Sequence, residues 1–140
     1  MEAEMKIAVS HERALDAAPE LISALIADFD RVWPQDIAPT PRPLGPGVYD
    51  TGLMRWEEFD RPGAIRAFRV TRPAGLNGEH WFELVVSGGM PVLRHTVDAT
   101  ASEAFAAIWR ARIARLHDQI LEALLDRVQQ ALAQEEPSGR

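Results

Sequence analysis

With 46% of its 140 residues hydrophobic and 26% charged, the chain has enough apolar side chain for one core and too much for wholesale disorder. A net charge of -6 and a pI near 5.2 argue against a nucleic-acid binder, which needs a basic face toward the phosphates. The absence of cysteine excludes disulfides, cysteine-ligated zinc and thiol catalysis.

The first residues, Met1-Glu2-Ala3-Glu4-Met5, lack the basic and apolar regions of a secretion signal, so a cytoplasmic protein is expected. Asp28, Asp30, Glu79 and Glu83 interrupt the most apolar stretches, and no run is long enough to cross a bilayer. Met5, Ile7 and Val9 alternate with Lys6, Ala8 and Ser10, the period of a strand with one buried face. Pro19 suits the first turn of a helix, where its missing N–H costs nothing. Leu21, Ile22, Leu25, Ile26 and Phe29 follow at helical spacing, and Asp28 to Trp33 continues that helix or starts a second one. Pro34 ends the pattern. From there to Gly47 five prolines and two glycines predict an extended loop tethered by Ile37 and Leu44, either a lid over a site or a plain connector.

Beyond Val48 the pattern is that of an antiparallel meander. Strands are predicted over 53–59, 64–71, 79–87 and 91–99, with turns at Asp60–Gly63, Pro73–Gly78 and Gly88-Gly89. With the first strand these make five, and 48–51 is a possible sixth. A long helix closes the chain from about Thr100, read as a cap with Glu103 three residues on, to Gln134. Phe105, Ile108, Trp109, Ile113, Leu116, Ile120, Leu124 and Val128 form its stripe. At about 1.5 Å per residue such a helix is on the order of 50 Å long and needs a wide partner. Strands and helices segregated in this way predict an α+β fold. One domain is expected over residues 1–134, with a disordered tail over 135–140.

Several segments resemble the START-like, or SRPBCC, superfamily, whose members are also called Bet v 1-like or polyketide cyclase-like. Ala18-Pro19, Asp28-Phe29 and Trp33-Pro34 resemble its N-terminal helices. Met54 to Gly63 and Phe68-Arg69-Val70 resemble its central strands. Leu93-Arg94-His95-Thr96, Trp109 and Leu116-His117-Asp118 are similar to one uncharacterised bacterial branch. The resemblance implies a helix-grip fold, in which a curved antiparallel sheet of about seven strands wraps a long C-terminal helix over an apolar pocket. It also implies an apolar small-molecule partner, while the acidic charge argues against nucleic acid and the lack of a bilayer-length apolar run against stable membrane insertion.

His95 shares a strand face with Leu93 and Val97, so it is either a pocket acid–base or hydrogen-bonding group, or a paired core histidine. It is the best candidate for catalysis. His117 lies at the edge of the helix stripe, where it either faces His95 across a cavity as a ligand-binding candidate or sits half wet at the sheet–helix boundary, and His80 is in phase with Phe82 and Leu84. Trp33, Trp56, Phe68, Phe82, Trp109 and Ile113 are candidates to line a pocket and stack on a flat ligand, with the core role as the plainer alternative. Trp81 should point to the opposite face from Phe82. Arg66 shares a face with Phe68 and could anchor an anionic ligand oxygen or form a salt bridge at the end of the sheet. No two histidines have the spacing of a helix zinc motif, and no metal or cofactor is expected.

Three functions fit these features. The chain could bind a lipid, a polyketide-like compound or an isoprenoid as a carrier or sensor. It could be a cyclase, aromatase or dehydratase using the same cavity, or an interaction module whose cavity its own side chains fill.

Overall fold

The structure, a computed structural model, describes residues 4–135. β1 is Glu4–Ala14 and runs beyond Ser10. α1, Pro19–Ala27, opens on its proline and buries Ile22, Leu25 and Ile26, while Leu21 is 40% exposed. α2, Phe29–Val32, is a single turn that buries both of its end residues.

The proline-rich stretch is not all loop. Arg42–Gly45 forms β2, which pairs with β3, Val48–Asp50. Prolines hid this strand, but β2 is an edge strand, where Pro43 need sacrifice no ladder bond. Leu44, expected to tether the loop, is instead 43% exposed. The loop is held by Trp33 Nε1, which donates to the Ala38 carbonyl at 3.0 Å, and by Arg127 Nη2, which donates to Asp36 Oδ1 at 2.8 Å.

β4 (Arg55–Phe59), β5 (Ala64–Arg72), β6 (Leu76–Ser87) and β7 (Met90–Ser102) complete one seven-stranded antiparallel sheet of order β1-β7-β6-β5-β4-β3-β2. Register shifts in the β2–β3, β4–β5 and β5–β6 pairs bend it. Leu76 to Gly78, predicted as turn, belongs to β6. An alanine Cβ at Gly78 would stand 2.3 Å from the Ala99 Cβ, so β6 can lie against β7 there only because Gly78 has no side chain.

The long helix starts later than expected, because β7 runs on through Ser102. Ser102 is the cap, and its Oγ accepts the Phe105 N–H at 3.2 Å. Ser102→Ala should cost about 1 kcal/mol, seen as a lower urea midpoint. An unchanged midpoint would show that the cap contributes nothing.

The helix is also not uniform. α3, Glu103–Ile108, passes into a π-helical turn, Trp109–Ile113, and then into α4, Ala114–Glu135. The buried side chains Trp109, Leu121 and Leu125 and the half-buried Ile113 and His117 follow one another at steps of four. Each such step overshoots an α-turn of 3.6 residues, and the wider π-turn absorbs part of the excess. Ile108, counted in the stripe from its spacing, is turned out and is 48% exposed. The tail expected beyond Gln134 lies, from residue 136 on, outside the described residues. Among those described, no helix is long and apolar enough to cross a membrane.

The sheet holds the helix against two separate apolar clusters. One joins α1, α2, Phe68, Phe82 and Leu93 to Leu121, Leu124, Leu125 and Val128 of α4. The other joins Ile7, Leu76, Ala99 and Ala101 to Phe105 and Trp109. This is the α+β helix-grip arrangement, with the core divided rather than continuous.

Candidate functional site

A cavity of about 130 Å³ lies between the two clusters and takes wall residues from both. The sheet contributes Trp56 from β4, Phe82 from β6 and His95 from β7. The helix contributes Trp109, Ile113 and His117. Trp33, at the end of α2, closes one side together with Ala38 and Pro39 of the proline-rich loop. Seven of the nine residues singled out from the sequence therefore meet around one space. Phe68 and Arg66 do not line it. Phe68 is fully buried behind the wall, against Trp56 and His80.

Arg66 is part of a staple. Its Nε and Nη2 donate to the two carboxylate oxygens of Glu58 at 2.9 and 3.3 Å. Nη2 also donates to the Tyr49 hydroxyl at 2.9 Å, and Nη1 donates to the Ile26 carbonyl at 3.2 Å. Its guanidinium carbon lies 4.2 Å from the centroid of the Phe29 ring. Trp81 faces away from the cavity, as the strand phase requires, and lies under the Arg61 guanidinium at 3.6 Å.

The four histidines of the chain form one contiguous series. His95 Nε2 lies 3.3 Å from His80 Nδ1. The His95 and His117 rings are 5.7 Å apart, and those of His117 and His11 5.6 Å. His11 reaches this series because β1 pairs with β7 in a register that sets it opposite His95. It was not singled out from the sequence, although the alternation of Ile7 and Val9, carried one step further, puts it on the same face.

Burial pushes His80 down to about 3, and the neighbouring His117 acts in the same direction. Burial, followed by His80, His117 and His11, holds His95 well below its ordinary value. His117 is lowered to about 4 by burial and by His11, against an opposing pull from Asp118. These three rings are therefore neutral at neutral pH. A neutral imidazole has one donor and one acceptor nitrogen. His80 Nε2, His95 Nδ1, both ring nitrogens of His117 and Trp56 Nε1 are buried without a hydrogen-bond partner. Buried polar atoms are usually paired, yet here five unpaired nitrogens belong to residues of one apolar cavity wall.

Neither a family model nor a curated protein matches the sequence. Solved structures do match the fold. A START superfamily protein from Mycobacterium smegmatis superposes with a TM-score of 0.57 at 15% identity, over 92% of this chain and 99% of that one. The fold is START-like. A conserved protein from Geobacillus kaustophilus gives a TM-score of 0.61 at 14% identity, over 91% of this chain and 96% of that one. Norcoclaurine synthase from Thalictrum flavum, in complex with dopamine and hydroxybenzaldehyde, gives 0.68 at 11% identity, over 96% and 91%. At such identities these neighbours establish the fold and no activity.

Proposed function

We propose that this protein is a carrier or sensor that binds a compact, mostly apolar small molecule bearing one or more hydrogen-bonding groups. The observation that carries this reading is the set of five unpaired nitrogens, on Trp56, His80, His95 and His117, in a mostly apolar wall. A ligand hydroxyl, carbonyl or amine would satisfy groups that are otherwise costly to bury. Rings would stack on the tryptophans, and burial of their surface at about 25 cal/mol per Å² would supply most of the affinity.

The size of the cavity narrows the ligand class. A pocket of roughly 150 Å³ takes a benzene-sized guest, and this one has about 130 Å³. That favours one- or two-ring compounds over a long acyl chain, a sterol or an extended isoprenoid. The norcoclaurine synthase structure holds single-ring compounds in the same fold, which is compatible with ligands of this scale. A cyclase or aromatase reading has less support. A general base works best with a pKa near the operating pH, and the buried histidines titrate far below it.

Three of the four tryptophans line the cavity, so their emission should report its occupancy. Titration with 2-naphthol, naphthalene and palmitate should show saturable quenching by the two ring compounds, with naphthol tighter by about tenfold, the value of one net hydrogen bond. His95→Leu, checked by thermal melting, should keep naphthalene affinity and remove the naphthol advantage. Preferential binding of palmitate would overturn the size argument. Quenching by none of the three, together with native mass spectrometry showing no co-purified compound, would sink the ligand-binding reading.

A further inference from the structure

We propose that His11, His117 and Asp118 bind a divalent transition-metal ion at the seam between β1 and α4. One ligand atom from each of the three lies within 4.8 Å of the other two. His11 Nε2 is 3.0 Å from Asp118 Oδ1, and that oxygen is 3.9 Å from His117 Nδ1. Ligand atoms of a tetrahedral zinc with bonds of 2.0–2.1 Å stand about 3.4 Å apart, between those two distances. Two imidazoles and one carboxylate, leaving coordination positions open, suit zinc, cobalt, nickel or iron(II).

Two further observations point to a cation. The first is at His11. Its Nδ1 is 2.9 Å from Glu122 Oε2, while its Nε2 faces Asp118. With a metal on Nε2, the Nδ1–H donates to Glu122, which becomes the outer carboxylate that fixes the tautomer of a liganding histidine. Glu122 is itself held, because Arg13 Nη2 donates to its other oxygen at 3.2 Å.

The second is at His117. Both of its ring nitrogens are buried and without a hydrogen-bond partner, and its side chain is only 16% exposed, beside an Asp118 that is 57% exposed. A cation on Nδ1 would occupy one of those nitrogens and leave the other four unpaired nitrogens to the cavity. The ion would enter from the solvent side, where Asp118 is open. Sequence spacing could not reveal this site, because one ligand lies on the first strand and two lie on the last helix.

The test is isothermal titration of the untagged 140-residue chain, stripped with a chelator, against ZnCl2, with the visible absorption of the Co2+ form as a second readout. The expected result is one zinc per chain with a dissociation constant at or below the micromolar range, and cobalt bands of four- or five-coordinate intensity. Asp118→Asn and His11→Gln should each weaken zinc at least tenfold, with circular dichroism of the metal-free variants showing that the fold is retained. Glu122→Gln, a change to a positioning residue, should weaken zinc about tenfold and keep the cobalt spectrum. Glu103→Gln, which changes an exposed carboxylate at the start of α3, should leave zinc affinity unchanged. Millimolar or non-saturating zinc uptake by the unmodified protein would overturn the assignment, as would equal affinity in Asp118→Asn.

Discussion

Between pH 6.5 and pH 4 the protein should lose about 3 kcal/mol of stability through His80 alone. In the unfolded chain this histidine takes up a proton near pH 6.5, whereas in the folded protein burial pushes its pKa down to about 3. Between those values the unfolded state binds the extra proton, so stability rises with pH there. The contribution is complete above pH 6.5 and is lost progressively as pH falls toward 3. Each pH unit is worth about 1.4 kcal/mol, so this one group accounts for a large part of the 5–15 kcal/mol typical of a domain.

The groups around His80 reinforce this. It packs between the Trp56 and Phe68 rings and bonds to His95, with no carboxylate among its ring contacts. Glu79, a carboxylate on the cavity wall, is paired with Arg61 at 2.9 Å. From α4, His117 acts on His80 in the same direction as burial. Urea midpoints measured across this range, with a chelator present, should fall steeply for the unmodified protein. They should fall more gently for His80→Phe, which keeps the ring and removes the titrating group. Parallel curves for the two proteins would show that His80 does not set the acid limit.

The parts of this molecule that could be read from the sequence are those with a strong local period. The alternation in β4 to β7 and the three-and-four spacing in the last helix each reflect one buried face, and the fold follows from which faces are apolar. β2 escaped because its evidence is not periodic: Arg42–Gly45 contains a proline and pairs only at the edge. The π-turn escaped because a step of four is compatible with an α-helix until the steps accumulate.

At the site, each inward residue was legible within its own strand, but register was not. His80 and His95 could each be given a face from their neighbours. That they bond to one another depends on β6 meeting β7 with Phe82 opposite His95, and that His11 joins them depends on β1 closing onto β7. Both are pairings between distant segments that no local pattern encodes.

Arg66 shows how an inward-pointing charge is ambiguous until its partners are known. Arg66→Met should lower stability by about 2–4 kcal/mol and leave the affinity of the folded protein for ring compounds unchanged. Its side chain is only 10% exposed, and it ties its own strand, β5, to three other elements. It neutralises Glu58 on β4, bonds Tyr49 on β3 and caps the Ile26 carbonyl near the end of α1, where helix geometry leaves carbonyls without partners. Methionine would fill the space beside Phe29 but strand Glu58 and that carbonyl. Breaking a buried ion pair by removing one partner typically costs about 3–5 kcal/mol. The lower range applies because Glu58 is 33% exposed and water can replace part of what it loses.

Arg66→Lys should recover only a minority of the loss, since an ammonium cannot span the two oxygens of Glu58 while reaching both Tyr49 and Ile26. A ligand-anchoring arginine would behave in the opposite way, with stability kept and affinity for anionic ring compounds falling tenfold or more. Paired urea unfolding and tryptophan-quenching titrations on the same two variants separate the roles. A stable Arg66→Met protein that no longer binds would return this residue to the site and require the cavity to extend toward β3.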